Sequence, residues 1–159
     1  MLDLNHASAV GEARKAVLDN AYRHAQGAEI RGVLVQKMAL LGTELILGVK
    51  QDLIFGAILM LGIGGVFVEV FKDVAFAQVP VSRTDAEMMF DQLVGNVILE
   101  GVRGQEAVDK QSLIDTLCML SDFVQKNPDV VELEMNPVLV GSKGVLAVDW
   151  LIISTSRRK

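Results

Sequence analysis

The stretch between Asp52 and Glu69, LIFGAILMLGIGGVFV, contains sixteen residues and no charged side chain. Such a run can cross a membrane, form buried strands, or build a glycine loop around a ligand. A membrane-spanning helix needs roughly 20 apolar residues, and the glycines of this run would weaken a helix along its whole length. They divide the run into AILML and VFVEVF, joined by GIGG, which is typical of two short strands with a glycine connection.

Length and composition restrict the class of protein and the kind of partner. A chain of 159 residues, 51% of them hydrophobic, is long enough for one domain with a hydrophobic core. The net charge of -5 argues against nucleic acid as a partner, because phosphate backbones attract clustered Lys and Arg. Cys118 is the single cysteine, so no intramolecular disulfide can form, and its spacing predicts a buried structural thiol. The N-terminal MLDLNHASAV lacks the basic and apolar segments of a signal peptide, which predicts a cytoplasmic protein without membrane contact.

Hydrophobic periodicity predicts the order of the elements. A helix from about Ala7 to Ala25 precedes five strands: GVLVQKM, TELILGVK, AILML, VFVEVF and DVAFAQVPV. A second helix begins at SRTDAEMM, where Ser82 and Asp85 form the pattern of a capping box. A third helix, QSLIDTLCMLSDFVQK, leads into a hairpin of VVELEMNPVLV and GVLAVDWLII. This order favours an α+β fold, with one mostly antiparallel sheet and helices packed on one of its faces.

The hairpin carries a group of oxygen-bearing side chains. Glu134 and Asn136 are two residues apart on one strand, so they project from the same face, and the hairpin brings Asp149 beside them. The apolar neighbours Val131, Leu133, Met135 and Val148 are expected to face the core. Hard oxygen ligands on a rigid sheet suit Mg²⁺, whereas acidic residues on a hairpin more often form a solvated face.

Five blocks of the sequence carry a further pattern, in this chain order: GVLVQKM…GTELILGVKQD, FG…GIGGVFVEVFKDVAF, PVSRTDAEMM, EGVRGQEAVD and VVELEMNPVLV…GVLAVDW. Together they closely resemble the ATP-grasp domain of the NDP-forming acyl-CoA synthetases. The resemblance is to the β-subunit type of ADP-forming acetyl-CoA synthetase, which is related to succinyl-CoA synthetase. It spans Ala7 to Trp150 and implies an ATP-grasp fold, represented here by the C-terminal lobe and the hinge.

The resemblance implies roles for residues on the hinge and on the strand that follows it. In ATP-grasp folds a hinge strand lines the adenine, so Gln36, Lys37 and Met38 would contact the base through backbone and side chain. The glutamate of the following GxE pattern is implied to hold the ribose, which assigns that role to Glu44.

The resemblance also implies the site for metal and phosphate. Asn136 and Asp149 match the metal-binding Asn and Asp of the family, with Glu134 beside them, and the expected cofactors are Mg²⁺ and ATP or ADP. Arg103 is a candidate catalytic residue, because a guanidinium group matches phosphate oxygens. An ion pair of Arg103 with Glu106 or Asp109 is an equal alternative.

The function implied by the resemblance is the ATP-binding part of an NDP-forming acyl-CoA synthetase. That enzyme converts acyl-CoA, ADP and phosphate to acid, CoA and ATP, or the reverse, through a phosphohistidine, and it implies a CoA-binding α-type subunit or domain as partner. The alternative is a catalytically inactive ATP-grasp-like module, binding or regulatory, within a larger acyl-CoA-synthetase-like protein.

Two departures from the family pattern modify this expectation. No segment before Gly32 resembles the first ATP-grasp lobe, with its phosphate-contacting lysine and its histidine-bearing loop, so residues 1–159 are expected to form an ATP-grasp domain without that lobe. Such a chain is expected to form oligomers and to be inactive by itself. Leu53 also stands where the family usually has proline.

Overall fold

The structure is a computed structural model that describes residues 1–39, 42–65, 73–102, 104 and 106–155. The chain divides into two compact units, Met1–Ala39 and Leu40–Lys159. The predicted strand VFVEVF, residues 66–71, lies outside the described residues. Within the described residues, no helix has both the length and the apolar character that a membrane crossing requires.

The first unit contains helix α1, Ala7–His24, in agreement with the predicted helix. His6 caps it, because its Nδ1 accepts a hydrogen bond from the backbone N–H of Ala9 at 3.2 Å. The predicted strand GVLVQKM, residues 32–38, is wrong: residues 28–39 form neither helix nor strand. A strand is stabilised by a neighbour that pairs its backbone groups, and none of the described strands pairs with this segment.

The second unit contains one sheet, and every strand pair described in it is antiparallel. The described strands lie in the order β3-β2-β1-β4-β5, and β6 also pairs with β4. Their bounds are β1 Thr43–Asp52, β2 Gly56–Ile63, β3 Val74–Gln78, β4 Val130–Gly141, β5 Gly144–Ala147 and β6 Trp150–Ser154. The prediction of a mostly antiparallel sheet is therefore confirmed.

Within the described residues, three helices accompany this sheet: α2 Arg83–Gln92, α3 Asn96–Leu99 and α4 Lys110–Lys126. Alternate residues of β1 and β2 are buried against α2 and α4 in one hydrophobic cluster, which includes Leu45, Leu47, Leu59, Leu61, Met89, Phe90, Leu113 and Leu117. On the opposite face of the sheet, Ile58 and Met60 are half-buried and Phe76 is exposed. The described helices of this unit thus cover one face of the sheet, as predicted, and none of them packs on the other face.

Side-chain caps fix where the two long helices of this unit begin. At α2 the Ser82 hydroxyl and the Asp85 carboxylate form the predicted capping box. Hydrogen bonds from the Ser82 hydroxyl and N–H lower the pKa of Asp85 below its usual value of 3.8. At α4 Asp109 accepts hydrogen bonds from the N–H and the hydroxyl of Ser112, which lower the pKa of Asp109. Both carboxylates therefore carry negative charge at the positive end of a helix dipole.

Candidate functional site

An irregularity in β4 positions Asn136. Leu45 of β1 pairs with Val138, whereas Leu47 pairs with Met135, so two steps on β1 correspond to three on β4. This extra residue is a β-bulge, which shifts the alternation of side chains between the two faces of a sheet. Asn136 lies at the bulge and is exposed, and its peptide bond to Pro137 is cis.

The strand opposite the bulge is interrupted at the same level. The predicted second strand of the hairpin is divided into β5 and β6, and the backbone N–H of Asn136 donates to the carbonyl oxygen of Asp149 at 3.1 Å. The expectation that Val148 faces the core is wrong: its side chain is 50% exposed. Val148 lies in the break between the two strands, where regular alternation no longer sets its direction.

The three predicted metal ligands are brought together here. The Asn136 side-chain amide donates to Oε1 of Glu134 at 3.2 Å, while Oδ1 of Asp149 accepts from the backbone N–H of Trp150 at 2.8 Å. In the part of the chain that the structure describes, neither carboxylate has an ion-pair partner. The orientation of the amide leaves the Oδ1 atom of Asn136 out of its hydrogen bond to Glu134, and the backbone contact of Asn136 with Asp149 brings the second acidic residue to the same place.

This donor set fits a hard divalent cation. Carboxylate and amide oxygens are the protein ligands that Mg²⁺ prefers, usually one or two of them, with phosphate oxygens and water completing its shell. Among the described residues, no three His, Cys, Asp or Glu side chains form a metal-binding group by themselves. These donor atoms are therefore typical of an open site, in which a cation is shared with a phosphate ligand. They are not typical of a closed structural metal centre.

Glu44 lies at the start of β1, beside the glycine connection that follows β2. The backbone N–H of Gly64 donates to the Glu44 carbonyl oxygen at 2.6 Å. A Cβ atom at Gly64 would lie 2.7 Å from that oxygen, and Gly65 has a φ of +72°. Glycine is needed at both positions, at the first by close approach and at the second by the left-handed backbone. Sequence reasoning did not foresee this contact between the glycine connection and Glu44.

The three hinge residues belong to the first unit. Gln36, Lys37 and Met38 lie in the segment without regular structure and line, together with α1, a cavity of about 440 Å³. All three are exposed, so their backbone and side chains are accessible to a ligand. Arg103, the candidate phosphate contact, lies outside the described residues.

The two histidines are engaged at the ends of α1. His6 Nδ1 caps the first turn, and His24 Nδ1 is 2.9 Å from the carbonyl oxygen of Asn20. Both side chains lie in the first unit, and in the described part of the chain neither is hydrogen-bonded to an acidic side chain that would orient it for catalysis. The sequence prediction assigned neither of them a catalytic role.

Comparison with known proteins gives a consistent set of relatives. The family model for the ATP-grasp domain matches residues 1–153. The acetate–CoA ligase [ADP-forming] I of Archaeoglobus fulgidus is 40% identical over 137 residues, which cover 86% of this chain and 20% of that protein. The β subunit of acetate–CoA ligase [ADP-forming] II of Pyrococcus furiosus is 37% identical over 149 residues, covering 93% of this chain and 63% of that subunit.

Solved structures of proteins similar to this chain belong to the same group of acetyl-CoA-forming enzymes. The dinucleotide-forming acetyl-coenzyme A synthetase 1 of Ca. Korarchaeum cryptofilum, in complex with coenzyme A, Ca-AMPCP and HgCl⁺, has a TM-score of 0.89 and 38% identity. That match covers 97% of this chain and 67% of the other. Another structure of that enzyme holds coenzyme A and Mg-AMPPCP, with its phosphohistidine segment pointing towards the nucleotide-binding site. The chain thus spans about a fifth of a single-chain relative and under two thirds of a β subunit.

Proposed function

The chain belongs to the ATP-grasp domain family, and from this premise we propose that it is the nucleotide-binding part of an ADP-forming acyl-CoA ligase. The complete enzyme would convert acyl-CoA, ADP and phosphate to acid, CoA and ATP, or the reverse, through a phosphohistidine. The likeness to ADP-forming acetate–CoA ligases over most of this chain supports the reaction class. Residues 1–159 would supply the hinge and the C-terminal lobe of the ATP-grasp domain.

The observation that carries the proposal is the meeting of Glu134, Asn136 and Asp149 at the β4 bulge. These side chains would hold Mg²⁺, which when bound neutralises charge on the phosphates of ATP or ADP during phosphoryl transfer. Because such transfer depends mainly on positioning and electrostatic stabilisation, the site needs few acid or base residues. The Mg-AMPPCP complex of the Korarchaeum relative supports the same cofactor pair.

The remaining predicted residues would bind the rest of the nucleotide. Gln36, Lys37 and Met38 would contact the adenine, and Glu44 would accept hydrogen bonds from the ribose hydroxyls through its exposed carboxylate. The close packing of Gly64 on Glu44 fixes the backbone from which that carboxylate projects at the start of β1. Arg103 would contact the transferred phosphate.

A CoA-binding α-type subunit or domain would complete the enzyme. The Pyrococcus relative is named as a β subunit, which implies such a partner in that protein, and the Archaeoglobus relative is about five times longer than the matched region. The acyl group that the complete enzyme accepts would be set by this partner, since the residues described above address only nucleotide and metal.

The test is titration calorimetry of Mg·AMPPCP binding to the parent chain and to Asn136→Ala and Asp149→Ala. Both variants are expected to lose at least about tenfold in affinity and to keep the circular dichroism spectrum, because both positions are exposed. Asp122→Ala, an exposed acid on α4, is the charge-matched control and should retain parent affinity. Equal affinities in all four proteins would refute the metal assignment.

A further inference from the structure

Lys50 stands apart from the other cations of the second unit. Among the described residues of that unit, it is the only Lys or Arg on a strand. Three others lie on helices and form ion pairs with helical acids: Arg83, Lys110 and Lys126. Lys143 lies in the turn between β4 and β5. Lys50 follows the buried Val49 on β1, and successive side chains of a strand point to opposite faces, so Lys50 projects from the face opposite the helices.

The register of β1 and β4 places Lys50 close to the candidate metal site. Lys50 pairs with Glu132, and Gly48 pairs with Glu134. Side chains two residues apart on a strand share a face, so Lys50 lies on the face that carries Glu134, roughly 7 Å along the strands. Gly48 has no side chain to fill the place beside Glu134, and a Cβ there would lie 3.6 Å from the methyl group of Met60. No side chain of β1 therefore stands between Lys50 and Glu134.

A groove on this face joins the two positions. It has a volume of about 470 Å³, and both Lys50 and Glu134 line it. The apolar side chains of Ile46, Met60 and Phe76 form other parts of its lining. Because Glu134 belongs to the candidate metal site, the groove is a continuation of that site. A ligand whose cation is held at Glu134 has room in the groove to extend towards Lys50.

The ion pair of Lys50 leaves its ammonium group available to a ligand. Nζ of Lys50 lies 3.6 Å from Oε2 of Glu132, which is longer than the about 2.7–3.2 Å of an N–H···O hydrogen bond. The Lys50 side chain is 74% exposed, and an ammonium group carries more than one N–H donor. Exposed ion pairs contribute little to stability. Lys50 can therefore turn to a second acceptor at low cost.

We propose that Lys50 binds the phosphate chain of the nucleotide whose Mg²⁺ the side chains at the β4 bulge would hold. This inference rests on the proposed function and adds a phosphate contact to it. The carboxylates of Glu134 and Asp149 already offset the charge of Mg²⁺, so the negative charge of the phosphates needs a further cation. Lysine supplies such a charge as a compact, multiply donating ammonium group. Glu132 keeps that group on the same face of the sheet when no nucleotide is bound.

The experiment measures Mg·AMPPCP binding by titration calorimetry in the parent chain and in variants of Lys50. Lys50→Met keeps the length of the side chain and removes its charge, and it should weaken binding roughly tenfold or more, as for loss of a hydrogen bond to a charged group. Lys50→Arg should keep most of the parent affinity, because a guanidinium group also donates to phosphate. Lys143→Met is the matched control and should keep the parent affinity, because Lys143 is an exposed lysine at the far end of β4.

Glu132→Gln separates phosphate binding from a purely structural ion pair. A structural pair would be lost equally in Glu132→Gln and Lys50→Met, whereas a phosphate contact predicts parent or higher affinity in Glu132→Gln, since a negative charge near the phosphates is removed. Equal losses in these two variants would overturn the inference. Parent affinity in Lys50→Met, with affinity lost in Asn136→Ala and Asp149→Ala, would overturn it and leave the proposed function standing. A parent chain that binds no Mg·AMPPCP would overturn both.

Discussion

The backbone N–H of Gly64 donates a hydrogen bond of 2.6 Å to the carbonyl oxygen of Glu44. This contact shows what the glycine connection after β2 does within the described residues: it lets one chain segment approach the backbone of a neighbouring strand. A Cβ atom at Gly64 would also lie 2.8 Å from the Glu44 carbonyl carbon, and backbone atoms on both sides leave little freedom to move apart.

Gly64→Ala should destabilise the second unit by about 1–3 kcal/mol, because the added methyl group must displace the backbone of β1. Chemical denaturation followed by circular dichroism measures the change. Gly141→Ala is the control, since a Cβ there meets nothing within 4 Å and its φ is not in the left-handed region. Equal stability of the two variants would show that Gly64 does not need to be glycine.

The capping box of α2 predicts a pH dependence. In the parent, the Ser82 hydroxyl donates to Oδ2 of Asp85 at 2.6 Å and the Ser82 N–H donates to it at 2.8 Å. Because the folded pKa of Asp85 is lowered from 3.8, the ionised carboxylate stabilises the fold above about pH 4, and this stabilisation is lost as pH falls through the folded pKa.

Ser82→Ala removes the hydroxyl donor and the cap of the helix. The variant should lose about 1 kcal/mol at neutral pH, and NMR titration should show the pKa of Asp85 moving up towards 3.8. The difference in stability between parent and variant should shrink as pH falls through the lowered folded pKa of Asp85 in the parent, below which this carboxyl is protonated in both proteins. Ser112→Ala at the N-terminus of α4 provides the same comparison for Asp109, and an unchanged Asp85 pKa in Ser82→Ala would contradict the assigned cause.

The Asp52–Gly56 turn gives a prediction about proline. Asp52 is at the end of a strand, where the extended backbone suits the residue before a proline, and the N–H of Leu53 makes no hydrogen bond within the described residues. Leu53→Pro should therefore raise the free energy of unfolding by about 0.4–1 kcal/mol, by restricting the unfolded chain. Ile54→Pro should lower it, because the N–H of Ile54 donates to Asp52. Thermal melts at a concentration that keeps the chain monomeric compare the two.

The features that sequence reasoning predicted well have local causes. The cap at Ser82 and the successive turns of the helix Ala7–His24 depend on residues within four positions of one another. Strand β1 could also be predicted from the sequence, because its alternating apolar residues place Leu45, Leu47 and Val49 in the core.

The features that were missed depend on distant residues or carry no local signal. Residues 32–38 have a strand-like composition, but whether a strand forms depends on a partner that the sequence does not reveal. Helix α3, Asn96–Leu99, has one turn and no side-chain cap, so nothing in its sequence marks it.

The proximity of the three candidate metal ligands could be predicted from the sequence, whereas the local structure that produces it could not. Their role in metal binding stays a prediction. Spacing placed Glu134 with Asn136, and the hairpin placed Asp149 near them. The bulge at Asn136 and the break at Val148 arise from the register between β4 and its neighbours, which no short-range pattern encodes. The predicted hinge contacts and the role of Glu44 stay predictions, and nucleotide titration of Glu44→Ala would address the second.

The last prediction concerns turnover. Ligase activity in the proposed family needs a histidine that carries the phosphoryl group, and the Korarchaeum relative is described with a phosphohistidine segment. In this chain His6 caps α1 and His24 contacts the Asn20 carbonyl oxygen, and among the described residues neither histidine is hydrogen-bonded to a carboxylate.

Losing one electrostatic contact to the transferred group commonly costs about 10²–10³ in rate, and the resemblance predicts that residues 1–159 lack both the first-lobe lysine and the carrier histidine. We therefore expect the 159-residue chain to bind Mg·nucleotide weakly and to form no ATP from acetyl-CoA, ADP and phosphate. A coupled assay for ATP measures this, with a complete ADP-forming acetate–CoA ligase as the positive control. Turnover by this chain alone that disappears in His6→Asn or His24→Asn would identify one of these histidines as the carrier and would refute the prediction.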